Sequence, residues 1–266
     1  MNQLPLYMHR FKKELIQYWH YIIYYVRAFE KARVTNTSLG YLWWFLDPLL
    51  NMGIYIILVR LVFNQRDPNF PVFFFSAMLV WRYFSMALAQ SVSSIRSNIG
   101  VCRDIYVPKF VFPLVMCITG LSPLIISIGI LVVLMIMFHV PFTINLIYLP
   151  LLLTTLFFFT LTCSMIAAHI GVFIADAPNI LNHLLTLGLF ATPVFYSIDR
   201  VPEKYQFFIK LNPVGTLTTS FRHIITYGTP PPFKQLLYIV VFTMIAFILS
   251  VMILYKYDKI YNRVNG

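Results

Sequence analysis

The hydrophobic residues of this chain fall into long, almost unbroken runs separated by short polar segments. Six of these runs reach the length of about 20 residues that a helix needs to cross ~30 Å of hydrocarbon. They predict transmembrane spans at about 41–63, 70–92, 111–138, 146–174, 177–198 and 236–255. We therefore expect an all-α integral membrane protein with six transmembrane helices.

Two of the predicted spans contain a charged residue away from their ends. Asp47 precedes a proline in the first span, and Arg82 lies near the middle of the second. A charge at mid-span costs at least ~2.5–3.5 kcal/mol unless it is paired or solvated. We interpret Arg82 either as a structural residue, paired in the interior or snorkelling to an interface, or as a substrate contact. Asp47 marks either a local helix irregularity or a polar patch in the wall of the substrate path.

An aromatic group opens the first span, where the sequence contains Tyr41, Trp43 and Trp44. Tyrosine and tryptophan are enriched at membrane interfaces, so an aromatic belt accounts for them. The functional alternative is a stacking surface for sugar rings, whose C–H faces pack on aromatic rings. In that interpretation the three residues extend the substrate path.

The first 36 residues contain no transmembrane run. Between Leu4 and Lys31, apolar residues recur at helical spacing among Arg, Lys and Glu, which is typical of an amphipathic helix in the inner interface. The expected apolar face includes Leu15, Trp19, Ile22, Ile23 and Val26. This pattern predicts an interfacial segment over residues 1–36 and a transmembrane domain over 37–266. We expect no signal peptide, because the beginning of the chain is polar and basic.

Two segments between the spans differ from ordinary connections. Ser93–Phe110 is short, polar and basic, and predicts a short helix. Ser197–Phe233 is long, and its prolines bracket two apolar stretches that are each too short to span. We expect two short helices in this second segment, with Asn212-Pro213 as the break between them. They form either an outer gate or a loop that covers the helix ends.

Composition supports the membrane assignment. Hydrophobic residues make up 59% of the 266 residues, charged residues only 11%, and the mean hydropathy is +0.76. Soluble domains have about 25% charged residues, and disordered chains have low hydrophobicity. Both classes are therefore excluded.

The net charge of +11 indicates topology rather than nucleic-acid binding. If the N-terminus lies inside, the inner segments contain twelve Lys and Arg residues and the outer segments seven. An excess of Lys and Arg is typical of cytoplasmic loops. We therefore expect a multi-pass membrane protein with both termini in the cytoplasm and no nucleic-acid partner.

The sequence shows no catalytic constellation and no metal-binding pattern. None of the ten glycines precedes a lysine, so the chain lacks the phosphate-binding P-loop of ATPases. His169, Asp176 and His183 cluster around one turn, but their spacing fits no ligand pattern. The three cysteines are interpreted as reduced packing residues. Energy for any transport is expected from a partner.

Several short motifs resemble those of ABC-2-type permeases. Thr37–Leu50 (TSLGYLWWFLDPLL) resembles the first-span signature of that family. The other matching segments follow in family order: Leu79–Phe84 (LVWRYF), Ile105–Leu114 (IYVPKFVFPL), Ala191–Tyr196 (ATPVFY), Val201–Lys204 (VPEK), Leu211–Pro213 (LNP) and Phe221-Arg222. The resemblance is strongest to polysaccharide and polyol-phosphate exporters, and within them to the permease of wall-teichoic-acid export. Ala175-Asp176 departs from the Arg-Asp pair of the family, and Arg103-Asp104 departs from its usual basic residue.

The resemblance implies a homodimer driven by two copies of an ABC ATPase subunit, which would bind ATP and Mg²⁺. This chain would contain no cofactor. The implied substrate is an undecaprenyl-pyrophosphate-linked wall teichoic acid, with an O-antigen or capsular-type polysaccharide as the alternative. An autonomous channel or a lipid enzyme is a further alternative, although the sequence shows neither a polar pore stripe nor a catalytic group.

The resemblance also assigns roles to residues outside the substrate path. The segment that couples to the ATPase would include Arg96, Asn98, Gly100, Arg103 and Asp104, unless it is only a basic loop. The basic residues that would receive an anionic lipid headgroup are Arg27, Lys31 and Arg33. The outer gate would comprise Pro193, Phe195, Tyr196, Phe207, Phe208, Asn212 and Arg222.

Overall fold

The computed structural model describes residues 4–35, 38–63 and 68–261, and every regular element in these ranges is a helix. The helices are α1 (Leu4–Gln17), α2 (Trp19–Thr35), α3 (Trp43–Phe63), α4 (Phe70–Ser91), α5 (Ser94–Ser97), α6 (Ile99–Asp104), α7 (Val111–Thr119), α8 (Leu121–Met137), α9 (Leu149–Phe173), α10 (Ala177–Ala191), α11 (Glu203–Leu211), α12 (Pro213–Ile225) and α13 (Phe233–Tyr261). The predicted domain boundary at 36–37 and the side chain of Arg103 lie outside the described part of the chain.

Four helical stretches in the described ranges are long and apolar enough to cross a membrane. They are Phe70–Ser91, Val111–Met137, Ile144–Phe173 and Phe233–Tyr261, and they agree with four of the predicted spans. The last one is longer than predicted at both ends. Helix α3 has 21 residues, or about 31 Å, which is long enough for a fifth crossing.

The predicted span at 177–198 is wrong in its extent. Helix α10 has 15 residues, about 22 Å, which is shorter than the hydrocarbon core. It ends at Ala191 because Pro193 follows, and proline cannot continue the hydrogen-bond ladder of a helix. The six-span count therefore stays a prediction.

The third span is broken at Gly120, between α7 and α8. Pro123 has no N–H to donate to the carbonyl of the preceding turn, which favours a kink. The hydroxyl of Tyr83 donates to the Cys117 carbonyl at 3.2 Å. A Cβ at Gly120 would lie 3.1 Å from the Tyr83 ring. The kink therefore fits this span around α4, which packs against α3, α7, α8, α9, α10 and α12 at the centre of the fold.

The N-terminal segment forms two helices rather than the single predicted one, with a turn at Tyr18. Helix α1 packs against α13, and α2 packs against α7. Ile22 is fully buried, whereas Trp19 is largely exposed. The Ser122 hydroxyl donates to Glu30 at 2.5 Å, so α2 follows the third span as far as the start of α8. The interfacial position of this segment stays a prediction.

The connections separate into two ends of the molecule. One end, which we call the termini end, carries α1, the segment 93–110 and the last turn of α13; contacts such as that between Tyr106 and Asp258 join them. The other, the opposite end, carries segments 138–148 and 192–232, which meet where Asn145 Nδ2 donates to the Gly228 carbonyl at 2.7 Å.

Candidate functional site

An open groove of about 580 Å³ lies between α4 and α10, with α3 at its edge. Its wall is mixed in character, with polar, charged, aromatic and aliphatic side chains. The lining residues are Tyr55, Trp81, Arg82, Ser85, Met86, Ala89, Asn182, Leu185, Thr186 and Leu189. A concave site with a few polar groups in an otherwise apolar wall is typical of ligand binding.

Arg82 connects this groove to α3. Its guanidinium donates to the Asp47 carboxylate at 3.0 Å, and the two side chains are 26% and 41% exposed. The structure thus gives the intramembrane Arg82 an ion-pair partner that the sequence did not identify, and the substrate-path role of both residues stays a prediction. Arg82 also lines the groove, so it remains a candidate for substrate contact, with Asp47 as its counter-ion.

The other predicted path residues are not among the groove-lining residues of the described chain. Tyr41, Trp43 and Trp44 lie at the beginning of α3, where the rings of Tyr41 and Trp44 are 5.0 Å apart. The aromatic wall of the groove is instead Trp81 and Tyr55. Sequence reasoning missed them, although Trp81 is the direct neighbour of the intramembrane Arg82.

The three basic residues on α2 separate in space. Arg27 and Lys31 are exposed. Arg33 is half-buried, and its guanidinium lies 3.7 Å from the sulfur of Met86, a groove-lining residue. Only Arg33 of the predicted headgroup residues therefore reaches the rim of the groove.

The predicted coupling segment consists of α5 and α6 and has two distinct faces. Ile95, Ile99 and Cys102 are buried against the core. The opposite face is exposed and comprises Arg96, Ser97, Gly100, Val101 and Asp104. The helix-like spacing of the two faces is what a docking helix requires.

Asn98 does not belong to the exposed face of this segment. Its side-chain oxygen accepts a hydrogen bond from the Tyr25 hydroxyl at 2.8 Å, and its amide donates to the Ser94 carbonyl at 2.8 Å. Asn98 therefore positions the segment against α2, and its part in coupling stays a prediction.

A polar network that sequence reasoning missed lies beside the coupling segment. Its members come from α1, from the loop after α6 and from the end of α13, and we call it the terminal network: Arg10, Glu14, Tyr106, Lys109, Tyr255 and Asp258. Tyr255 and Arg10 both donate to Glu14 at 2.8 Å, and Tyr106 donates to Asp258 at 3.1 Å.

Charged residues of the terminal network are buried, which strengthens the interactions between them. Glu14 is 8% exposed and Lys109 3%, and Lys109 lies 3.9 Å from Asp258. Charged groups are rarely buried to this extent unless they are paired. Burial raises the pKa of Tyr106, which keeps its hydroxyl protonated as a donor. The only sequence signal was that Tyr106 and Lys109 lie within the motif Ile105–Leu114.

At the opposite end, Arg222 is 2% exposed and holds the turn that follows α10. Its guanidinium donates to the carbonyls of Val194 at 2.5 Å and Tyr196 at 2.9 Å, and also to that of Pro193. It further donates to the Phe73 carbonyl at 3.2 Å. Arg222 therefore fastens α12 to this turn and to the start of α4.

The prediction of two short helices in this region is confirmed by α11 and α12. Asn212 separates them; its side-chain oxygen accepts from the N–H of Val214 at 3.1 Å and caps α12. Phe207 and Phe208 on α11 are 66% and 68% exposed. Phe195 stacks on Phe74 with ring centroids 5.6 Å apart. The gating role of these residues stays a prediction.

The histidines near the turn between α9 and α10 do not converge on a metal site. His169 Nδ1 lies 2.7 Å from the Tyr261 hydroxyl. Across residues 4–35, 38–63 and 68–261, no three His, Cys, Asp or Glu side chains are placed to share an ion. Cys102, Cys117 and Cys163 are free thiols.

Comparison with known families assigns the chain. The sequence profile described as "ABC-2 type transporter" matches residues 6–226. The chain belongs to the ABC-2 type transporter family. The matched region of this ABC-2 permease includes the groove, the coupling segment and the two short helices, while α13 lies beyond it.

Curated relatives of this ABC-2 permease cover most of its length. The O-antigen export system permease protein RfbA of Myxococcus xanthus is 33% identical over 219 residues, which is 82% of this chain and 84% of the relative. An RfbA protein of Klebsiella pneumoniae is 26% identical, over 75% and 77% of the two chains. The polysialic acid transport protein KpsM of Escherichia coli is 23% identical, over 81% and 84%.

Proposed function

We propose that this chain is the permease subunit of an ATP-driven exporter that moves a lipid-linked polysaccharide across the bacterial cytoplasmic membrane. The names of the relatives support polysaccharide as the substrate class. The structural observation that carries the proposal is the groove, because it offers a guanidinium and an aromatic wall within the spans.

The lipid carrier in this proposal is undecaprenyl pyrophosphate. A diphosphate is recognised best by guanidinium groups, which donate two parallel hydrogen bonds to its oxygens. Arg33 at the rim and Arg82 in the wall are suitable donors, because both lie close to Met86. Arg27 and Lys31 would attract the anionic headgroup to the rim from the membrane surface.

Two polymers are candidates for the cargo. An O-antigen or capsular-type polysaccharide agrees with the printed names of the relatives. Wall teichoic acid is supported only by the resemblance of the sequence motifs. We therefore give the polysaccharide precedence over the teichoic acid.

The proposed assembly contains two copies of this chain and two ABC ATPase subunits that bind ATP and Mg²⁺. Exposed apolar side chains on α3 and α10 flank the groove, among them Ile54, Ile57, Leu187 and Phe190. A second copy that covers them would convert the groove into a closed path. The exposed face of α5 and α6 would dock on the ATPase, and the termini end would then lie in the cytoplasm.

The test is co-purification with the cognate ATPase, followed by reconstitution in liposomes. We expect ATP hydrolysis to rise when lipid-linked polysaccharide is added, and export to follow. Arg82→Met should retain ATPase binding and lose the stimulation, whereas Lys204→Met, an exposed cation at the opposite end, should retain both. Export without ATP contradicts the proposal, and stimulation by lipid-linked teichoic acid alone selects the second candidate.

A further inference from the structure

Helix α2 contacts both the coupling segment and the groove. In its first half, the Tyr25 hydroxyl donates to the side-chain oxygen of Asn98 at 2.8 Å. Near its end, the Arg33 guanidinium lies 3.7 Å from the sulfur of Met86 at the rim of the groove. Positions 25 and 33 are about 12 Å apart along the axis of a helix. One helix therefore joins the coupling segment to the site proposed for the headgroup.

The first half of α2 is held against the coupling segment by packing as well as by hydrogen bonding. Ile22 is fully buried in one cluster with Ile95 of α5 and Cys102 of α6. At the turn before α2, the Tyr18 hydroxyl donates to the Tyr106 carbonyl at 2.9 Å, just after α6. Closely packed side chains transmit displacement. A movement of α5 and α6 would therefore displace the first half of α2.

The second half of α2 is held less firmly to the spans. The Ser122 hydroxyl, at the start of α8, donates to Glu30 at 2.5 Å, and Arg33 meets α4 at Met86. The structure describes every residue of α2, and the buried one, Ile22, lies in the first half. The second half can therefore shift along the spans when the first half is displaced.

A shift of α2 changes the spacing of two guanidinium groups. Arg33 and Arg82 both lie close to Met86. Arg82 is paired with Asp47, whereas none of the ion pairs among the described residues includes Arg33. A diphosphate is held most firmly when both guanidiniums donate to it. Moving Arg33 away from Arg82 would therefore weaken the hold on an anionic headgroup.

We propose that α2 acts as a lever that transmits movement of the coupling segment to Arg33 at the rim of the groove. Tyr25 and Asn98 are the positioning residues at the coupling end. When the ATPase moves α5 and α6, α2 follows, and Arg33 separates from Met86 and becomes more exposed. The release of a headgroup by this movement rests on the proposed function, whereas the movement itself needs only an ATPase partner.

The test follows a thiol at the rim, in the complex of the full chain with its ATPase in lipid nanodiscs. The chain carries Arg33→Cys, and its three native cysteines are replaced by alanine. The rate of modification by a water-soluble maleimide is measured without nucleotide and with ATP plus vanadate, in the absence of polysaccharide. We expect nucleotide to raise this rate at least about fivefold, the lower end of usual coupling between two sites.

Tyr25→Phe in the same chain should lower this nucleotide-dependent ratio about twofold or more, the effect of one hydrogen bond. Asn98→Ala removes the other partner of that bond and should have a similar effect. Both variants should still bind the ATPase in a pull-down. Since a variant that only loosened the fold would lose ATPase binding as well, the ratio and the pull-down together separate positioning from stability.

The matched control is Tyr261→Phe, which removes a hydrogen bond of similar length to His169 Nδ1, 2.7 Å, between α9 and α13. We expect it to leave the ratio unchanged. The proposal is overturned if nucleotide does not raise the modification rate, if neither Tyr25→Phe nor Asn98→Ala lowers the ratio, or if Tyr261→Phe lowers it equally. A nucleotide-dependent rate without stimulation of ATP hydrolysis by lipid-linked polysaccharide would contradict the proposed function and leave the lever in place.

Discussion

Replacing Gly171 by alanine tests how the coupling segment is held. A Cβ at Gly171 would lie 1.7 Å from the carbonyl oxygen of Val92, the residue that ends α4 just before α5. Real Cβ atoms almost never come closer than 3.0 Å to another heavy atom. Helix α9 and the end of α4 must therefore separate by roughly 1 Å, since the obstacle is backbone and cannot rotate away.

The expected effect is a net destabilisation. Overpacking of this kind costs about 1–3 kcal/mol, while alanine regains up to ~1 kcal/mol of helix propensity. A domain of this size loses about 2–4 °C in Tm per kcal/mol, so we expect Gly171→Ala to lower Tm by several degrees. The displaced α5 should also weaken co-purification with the ATPase.

The assay is thermal unfolding of the detergent-solubilised chain by fluorescence-detected chromatography, followed by pull-down of the ATPase. Gly129→Ala is the matched control, because this glycine lies inside α8 and a Cβ there would meet nothing within 4 Å. It should leave Tm unchanged or raise it slightly. If Gly171→Ala is as stable as Gly129→Ala, the close approach of α9 to Val92 is not as tight as described.

Four further substitutions test other contacts. Asp47→Asn should lower stability by about 1 kcal/mol, because it leaves Arg82 without its carboxylate in a partly exposed site. The double variant with Arg82→Gln should recover part of that loss in Tm, and additive losses would show that the pair is not coupled. Tyr106→Phe removes the hydroxyl that bridges Arg10 and Asp258, and it should lower stability by ~1 kcal/mol and reduce the amount of substrate transported per ATP hydrolysed. Full transport would show that the terminal network has no part in coupling. Asn212→Ala removes the cap of α12 and should cost about 0.5–2 kcal/mol, measured as Tm, and an unchanged Tm would mean that the cap contributes nothing. Phe208→Ser should raise leakage of a small solute through reconstituted liposomes if α11 helps to seal the path, and unchanged leakage and export would reduce α11 to a connector.

Hydropathy predicted the long helices well and the short ones less well. The spans around α4 and α9 were predicted to within three residues at each end, because their apolar runs begin and end close to the ends of the helices. The span at 177–198 was overextended, because the sequence stays apolar through Phe195 after the helix has ended. The partner that satisfies the carbonyls of that turn is Arg222, about thirty residues downstream, and no local pattern reveals it.

The candidate site was predicted in part for a similar reason. Asp47 and Arg82 could be recognised because a charge inside an apolar run is conspicuous. The residues of the terminal network could not, because each is ordinary in its own segment. Glu14 and Tyr255 are 241 positions apart, and only the folded chain shows that they meet.

That separation has a consequence for biosynthesis. At the usual rate of about 5–20 residues per second, the ribosome needs roughly 10–50 s after Glu14 before it reaches Tyr255. During this interval α1 is complete but lacks its partners on α13, and the carboxylate of Glu14 has as partners only Arg10 and, once it has been made, Tyr106. The first helix can thus complete its packing only after the last one has been inserted. The terminal network joins the beginning of the chain to its last helix. It can therefore form completely only in a full-length permease and not in a truncated or stalled precursor.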